Sequence, residues 1–144
     1  MKTYYCPYCN TILSVLNGNA LQLTGVLSSE TFDCKADFIL PASLGDYDAI
    51  VSNGIKLKNG AKVDFRCPKS NCGMSFTCHY DDDLCEIKMV DENSQVFSVI
   101  FNRIYGKKAT FLADHQLCKI TDSFGDDKEK YIDDLDRKVN YFGA

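Results

Sequence analysis

Two short cysteine spacings constrain this 144-residue chain more than any other feature. Two residues separate Cys6 from Cys9, and four residues separate Cys67 from Cys72. Such spacings let two thiolates reach one ion from a single tight turn, and a tetrahedral ion needs two pairs of this kind. We therefore expect the fold to bring the pairs together around one structural zinc ion, held by Cys6, Cys9, Cys67 and Cys72.

The residues beside the thiols suit a metal-binding turn. Proline follows the first cysteine of each pair, at Pro7 and Pro68, where it fixes φ and removes a backbone N–H. Asn10 and Gly73 follow the second cysteines and tolerate the left-handed backbone conformation. On these residues each pair is similar to a zinc knuckle.

The chain thus resembles the zinc-ribbon family at Cys6, Cys9, Cys67 and Cys72. The resemblance implies two knuckles at hairpin tips that converge on one zinc. The chain differs from an ordinary ribbon in its longer second knuckle and in the 57 residues, 10–66, between the knuckles. We expect a single domain, 1–144, with knuckles at 6–9 and 67–72, inserted strands in 10–66, a β-meander in 73–113 and a helix over about 126–142.

Short alternating or β-branched runs, separated by turn sequences, predict strands in most of the chain. The candidate strands are 11–16, 20–24, 31–40, 55–58, 61–66, 74–80, 85–89, 96–101 and 109–113. Asn59-Gly60 predicts a type I′ hairpin that delivers the chain into Cys67. The predicted fold class is mainly β, a zinc ribbon merged with an antiparallel β-meander, plus one C-terminal amphipathic helix.

The predicted helix has a single apolar stripe. Its members fall within roughly 100° of arc at 3.6 residues per turn. They are Tyr131, Ile132, Leu135, Val139 and Phe142. We expect this stripe to dock on the sheet, and the alternative is that it docks in a groove of a partner protein.

A second metal site is an open alternative. It would draw on His79, Cys85, His115 and Cys118, of which only His115 and Cys118 form a tightly spaced pair. Cys34, Cys78 and Cys85 lie in alternating runs, where cysteine commonly serves as a small buried hydrophobic residue. We favour the core interpretation for these cysteines.

The charge distribution bears on the choice of partner. The net charge of −4 divides into +1 for residues 1–80 and −5 for residues 81–144. Neither half has the basic excess that gives affinity for a phosphate backbone. We expect a protein partner and no membrane partner.

Nucleic-acid binding is the alternative. Tyr4, Tyr5 and Tyr8 would stack on bases beside the first knuckle, unless they pack the knuckle instead. A small basic cluster near the second knuckle would contact phosphates. It comprises Lys56, Lys58, Lys62, Arg66 and Lys69.

The sequence predicts no catalytic site. It lacks the nucleophile, phosphate-loop and zinc-protease motifs, and a zinc held by four thiolates has no open position for water. We therefore expect a non-enzymatic protein-interaction or regulatory module.

A thiol-disulfide oxidoreductase is the other alternative, because Cys6-Pro7-Tyr8-Cys9 also matches the glutaredoxin active-site tetrapeptide. However, the run 11–16 ends at Asn17-Gly18, which leaves no room for the helix that such a site needs. The chain shows no apolar export signal and no run approaching the ~20 residues of a membrane span, so we expect a reducing, cytoplasmic setting.

Overall fold

The computed structural model describes residues 2–28, 33–52, 55–114, 119–132 and 135. They form two antiparallel five-stranded sheets. The strands are β1 Thr3–Tyr5, β2 Ser14–Val15, β3 Ala20–Ser28, β4 Asp33–Pro41, β5 Ile50–Val51, β6 Val63–Arg66, β7 Leu84–Val90, β8 Val96–Asn102, β9 Thr110–Asp114 and β10 Lys119–Phe124. The first sheet has the order β1-β7-β8-β9-β10; in the second, β3 pairs with β2, β4 and β6, and β4 pairs with β5.

The predicted meander is confirmed in the first sheet. Strand β7 pairs with β8, β8 pairs with β9, and β9 pairs with β10. The edge strands β1 and β10 were not among the predicted strands. The short strand β1 has only three residues, and β10 has an irregular exposure pattern with a register shift between Ile120 and Asp122, so neither has a clear period of two.

The first sheet buries both of its faces. Ile87, Met89 and Val99 belong to the larger apolar cluster, which also contains Phe38 and Phe65 of the second sheet. Because side chains alternate along a strand, their neighbours point the other way and form a second cluster. That cluster includes Leu84, Ile100, Phe111, Tyr131 and Leu135.

The C-terminal helix covers the second cluster. Residues 129–132 and 135 are helical, and Tyr131 and Leu135 are 2% and 0% exposed. The Tyr131 hydroxyl also donates a hydrogen bond to Asp83 over 3.0 Å. Docking of the apolar stripe on the sheet is thus confirmed for Tyr131 and Leu135, whereas Val139 and Phe142 lie outside the described residues.

Two of the predicted strands are wrong. Residues 55–58 form no strand, although Ile55 and Leu57 pack against the larger core. Only Gly60 of the Asn59-Gly60 pair has a positive φ, so the turn is not type I′. The strand β6 pairs instead with β3.

The second error is the strand predicted at 74–80. This segment forms only isolated bridges, from Ser75 to Arg66 and from Thr77 to Cys85. Each bridge reaches a different strand, so the segment links β6 to β7 and belongs fully to neither ladder.

No helix within the described part of the chain has the length and apolar character that a membrane crossing requires.

We predict that Leu135→Asp lowers the free energy of unfolding by about 3 kcal/mol, because it buries an unpaired charge. The matched control is Leu16→Asp, since Leu16 is 66% exposed and the same substitution there meets solvent. Urea unfolding of both variants measures the difference. A Leu135→Asp variant as stable as the control would show that the helix does not depend on this contact.

Candidate metal centre

The first knuckle is built by its own backbone. Cys6 directly follows β1, and its N–H donates to the Thr11 carbonyl over 2.9 Å. The Asn10 N–H donates to the Cys6 carbonyl over 2.9 Å, which closes the turn. Asn10 has a φ of 61°, so the left-handed conformation expected after the second cysteine is present.

The second knuckle repeats this pattern. Cys67 directly follows β6, and its N–H donates to the Met74 carbonyl over 3.0 Å. The Gly73 N–H donates to the Lys69 carbonyl over 3.1 Å, and Gly73 has a φ of 61°. In both knuckles, therefore, the residue after the second cysteine reverses the chain and the next residue pairs back to the first cysteine.

The two knuckles meet at one edge of β7. Strand β1 pairs with the end of β7, with Tyr4 opposite Met89. Phe76, which follows the second knuckle, bridges the sheets: its N–H donates to Phe65 of β6 over 2.8 Å, and its carbonyl accepts from Glu86 of β7 over 2.9 Å. The Tyr8 ring stacks on the buried Phe76 ring with the centroids 6.5 Å apart. This contact joins the first knuckle to the segment that follows the second.

The four predicted thiols come together at this junction. Their sulfur atoms lie within 4.8 Å of one another, with 3.9 Å from Cys6 to Cys72 and 3.7 Å from Cys9 to Cys67. A tetrahedral zinc with bonds of about 2.3 Å places its sulfur ligands about 3.8 Å apart. A disulfide would require about 2.0 Å. The arrangement thus fits a shared tetrahedral ion, and each of these two contacts joins one knuckle to the other.

Hydrogen bonds reach the sulfurs from the knuckle backbones. The Tyr8 N–H donates to the Cys6 sulfur over 3.4 Å. Burial raises the pKa of the Cys67 thiol to about 12, against a smaller opposing effect from a backbone hydrogen bond at Lys69. Burial likewise raises the pKa of Cys6. Buried thiols of this kind ionise readily only beside a positive charge, which a metal cation supplies.

Thr11 also contacts the candidate metal centre, and its role there was not expected from the sequence. Its hydroxyl lies 3.0 Å from the Cys9 sulfur, and hydrogen bonds from Thr11 lower the pKa of Cys9 to about 6. Its signal in the sequence is a hydroxyl two residues after the second cysteine of a pair. Cys9 is the exposed thiol of the group, and it marks the side from which an ion could enter.

Of the second candidate metal site, the structure describes only Cys85 and His79. Cys85 is 0% exposed and its thiol donates to the Phe101 carbonyl over 3.5 Å, whereas His79 is exposed. His115 and Cys118 lie outside the described residues. Within the described ranges, the four knuckle cysteines are the one group arranged to hold an ion. Cys78 is also buried, which agrees with the core interpretation.

Of the three tyrosines near the first knuckle, Tyr4 is buried, whereas Tyr8 stacks on Phe76 and remains 49% exposed. Tyr4 is 2% exposed and its hydroxyl donates to the Ala42 carbonyl over 2.7 Å. Tyr8 stacks on Phe76, as described above. A platform for base stacking would therefore lack Tyr4, which is inside the core.

The basic cluster near the second knuckle is partly neutralised. Lys62 contacts Asp82 over 3.0 Å, and Arg66 contacts Asp64 over 2.7 Å. Ion pairing leaves these two cations less available to a phosphate backbone. Lys56, Lys58 and Lys69 of the predicted cluster are exposed.

The Cys6-Pro7-Tyr8-Cys9 segment does not open a helix. Residues 7–9 form a turn, and the chain continues through a bridge at Ile12 into β2. This context differs from the helix start that the glutaredoxin-like alternative requires. The segment faces Cys67 and Cys72 instead.

We predict that Cys67→Ser lowers hydrogen-exchange protection throughout residues 10–66. A metal that joins Cys9 to Cys67 closes a long loop, for which the analogous disulfide contributes about 4 kcal/mol. Structural zinc binding itself is worth roughly 10–16 kcal/mol in finger peptides. Even partial loss is comparable with the ~5–15 kcal/mol stability of a typical domain.

The matched control for that experiment is Cys34→Ser, a thiol on β4 outside the cluster. It should leave both the metal content and the protection of these strands unchanged. Native protection across 10–66 in a metal-free Cys67→Ser variant would show that the inserted strands fold without the knuckles.

Comparison of the chain with protein-family models, curated proteins and solved structures found no match. The similarity to zinc ribbons consequently rests on the knuckle residues and their geometry.

Proposed function

We propose that this chain is a non-enzymatic zinc protein in which Cys6, Cys9, Cys67 and Cys72 hold one structural ion. The observation that carries the proposal is the spacing of the sulfur atoms, 3.7 and 3.9 Å across the knuckles. Four soft thiolate donors in a tetrahedral arrangement favour zinc over the hard cations magnesium and calcium. Iron also binds such a set, so the metal's identity is part of the proposal.

The structural role follows from the donor set. Four thiolates fill the coordination sphere of tetrahedral zinc, so no position remains for an activated water. The ion would instead fix the ends of β1 and β6 relative to each other, because each strand runs directly into a knuckle. A reducing compartment such as the cytoplasm is part of this proposal, since it keeps the thiols available to metal.

We further propose that the surface around the knuckles binds a partner protein. This knuckle face consists of Tyr8, Ile12 and Met74, which are 49%, 60% and 47% exposed. Each is tied to the metal centre: Tyr8 lies within a knuckle, Met74 accepts from Cys67, and Ile12 bridges to Tyr5 beside Cys6. Single exposed apolar side chains are ordinary, but three that each border the same metal centre favour an interface.

The oxidoreductase alternative is tested by activity and metal content together. We expect negligible glutathione-dependent disulfide reduction, because thiolates bound to zinc are not free to attack a disulfide. Elemental analysis of the same sample should give one zinc per chain. Robust turnover that Cys6→Ser abolishes while zinc content stays the same would contradict the structural role.

The knuckle face is tested by comparing Ile12→Asp with Ile50→Asp. Ile50 is 67% exposed and lies on β5, which β3 and β4 separate from the first knuckle. Affinity capture of a specific protein should be lost with Ile12→Asp and retained with Ile50→Asp, while both variants keep their zinc. Equal capture by both would place the interface elsewhere.

The same capture experiments distinguish a protein partner from the nucleic-acid alternative. Binding through phosphates weakens steeply with salt, because it depends on the release of counterions. We expect the capture to survive nuclease and to show little salt dependence. A nuclease-sensitive complex with a steep salt dependence would favour nucleic acid.

A further inference from the structure

The two knuckles have different residues at one equivalent position, two residues after the second cysteine. In the first knuckle this residue is Thr11, whose carbonyl accepts from the Cys6 N–H over 2.9 Å. In the second knuckle it is Met74, whose carbonyl accepts from the Cys67 N–H over 3.0 Å. Met74 makes the same backbone contact without a hydroxyl. The knuckle turn itself therefore does not require the hydroxyl of Thr11.

The Thr11 hydroxyl lies beside a candidate metal ligand instead. Its Oγ1 is 3.0 Å from the Cys9 sulfur, which is close enough for a hydrogen bond. A thiolate bound to a metal has no proton, so the hydroxyl must be the donor in the metal-loaded protein. The thioether of Met74 has no proton to donate. Of the two equivalent residues, only Thr11 can therefore donate a side-chain hydrogen bond to a sulfur ligand.

This hydroxyl accompanies the thiol that solvent reaches most easily. Cys9 is exposed, Cys72 is half-buried, and Cys6 and Cys67 are buried. Protons, chelators and electrophiles would consequently meet the Cys9 sulfur first. A hydrogen bond from Thr11 occupies a lone pair that such reagents would otherwise use. Loss of the ion would begin at Cys9, so a group that holds this sulfur controls how fast the ion leaves.

The chain around Thr11 fixes the position of its hydroxyl. The Thr11 carbonyl is bonded to the first knuckle, and Ile12 forms an antiparallel bridge with Tyr5 of β1. The threonine side chain is branched at Cβ, which restricts its χ1 angle. The hydroxyl is thus presented to Cys9 from a paired segment by a stiff side chain. Partners of this kind orient metal ligands in many metal sites.

We propose that Thr11 is a positioning residue of the metal centre, whose hydroxyl donates to the Cys9 thiolate and holds it on the ion. In this role Thr11 slows both the loss of the ion and the attack of other reagents on the sulfur. The inference rests on the proposed zinc site and deepens it, because it names Cys9 as the ligand that detaches first.

The test compares three variants of the full chain. Thr11→Val removes the hydroxyl and keeps the branched shape, whereas Thr11→Ser keeps the hydroxyl. Thr121→Val is the matched control, because the Thr121 hydroxyl donates to the Leu112 carbonyl over 3.1 Å within the pairing of β9 and β10. The control therefore loses a hydroxyl hydrogen bond without changing a knuckle.

Two rates are measured on the zinc-loaded protein. The first is the transfer of zinc to a chromogenic chelator, and the second is the alkylation of each cysteine by iodoacetamide, mapped by peptide mass. We expect Thr11→Val to raise both zinc loss and Cys9 alkylation by about tenfold or more, since removing such partners usually weakens metal binding by about 10–100-fold. Thr11→Ser should return both rates to near the parent values, and Thr121→Val should leave them unchanged.

A spectroscopic signature reports the hydrogen bond itself. In protein loaded with cobalt(II) in place of zinc, Thr11→Val should move the sulfur-to-cobalt charge-transfer band to longer wavelength. A thiolate that loses a hydrogen-bond donor gives up an electron more easily, because less of its negative charge is stabilised. Thr11→Ser should keep the band at the parent position.

Elemental analysis of the parent protein comes first, because a parent without zinc would overturn both the zinc site and this inference. With zinc present, the inference alone is overturned if Thr11→Val loses zinc at the parent rate or leaves the cobalt band unshifted. It is also overturned if all four ligands become reactive together, as a general loosening of the fold would produce, or if Thr11→Ser behaves like Thr11→Val.

Discussion

The convergence of four thiols is the constraint on which the arrangement of the two sheets depends. Strand β1 belongs to the first sheet and β6 to the second, and each runs directly into a knuckle. Sulfur contacts of 3.9 and 3.7 Å cross from one knuckle to the other. An ion bound there would hold the two sheets at a fixed separation, which a hydrophobic interface alone specifies less sharply because apolar contacts are not directional.

The apolar core and the knuckles support each other through Phe76. The Phe76 side chain is 1% exposed within the larger core, and its ring stacks on the Tyr8 ring of the first knuckle. The Phe76 backbone forms hydrogen bonds with β6 and β7. Ordering the knuckles therefore orders a residue that both sheets share. Toward the end of β8 the same inter-sheet space holds a cavity that residues of both sheets line.

The sequence predicted the parts of this structure that depend on local chemistry. The cysteine spacings, Asn10 and Gly73 identified both knuckles because a tight turn around an ion restricts backbone conformation within a few residues. The alternating runs at β7, β8 and β9 likewise predicted strands, because alternation of apolar and polar residues is visible within a few positions. In contrast, β6 pairs with β3 rather than with residues 55–58, since strand pairing over such distances depends on packing that no short window contains. The contact of Thr11 with Cys9 could not be predicted from the sequence either, because it depends on how the first knuckle folds.

X-ray absorption at the zinc edge, on protein purified without added metal, reports the ligands of the proposed ion directly. We expect a zinc ion with four sulfur neighbours at about 2.3 Å and no nitrogen or oxygen ligand. The same spectrum from Cys34→Ser should be unchanged. Absence of bound zinc, or a zinc with fewer than four sulfur ligands in the parent protein, would contradict the account.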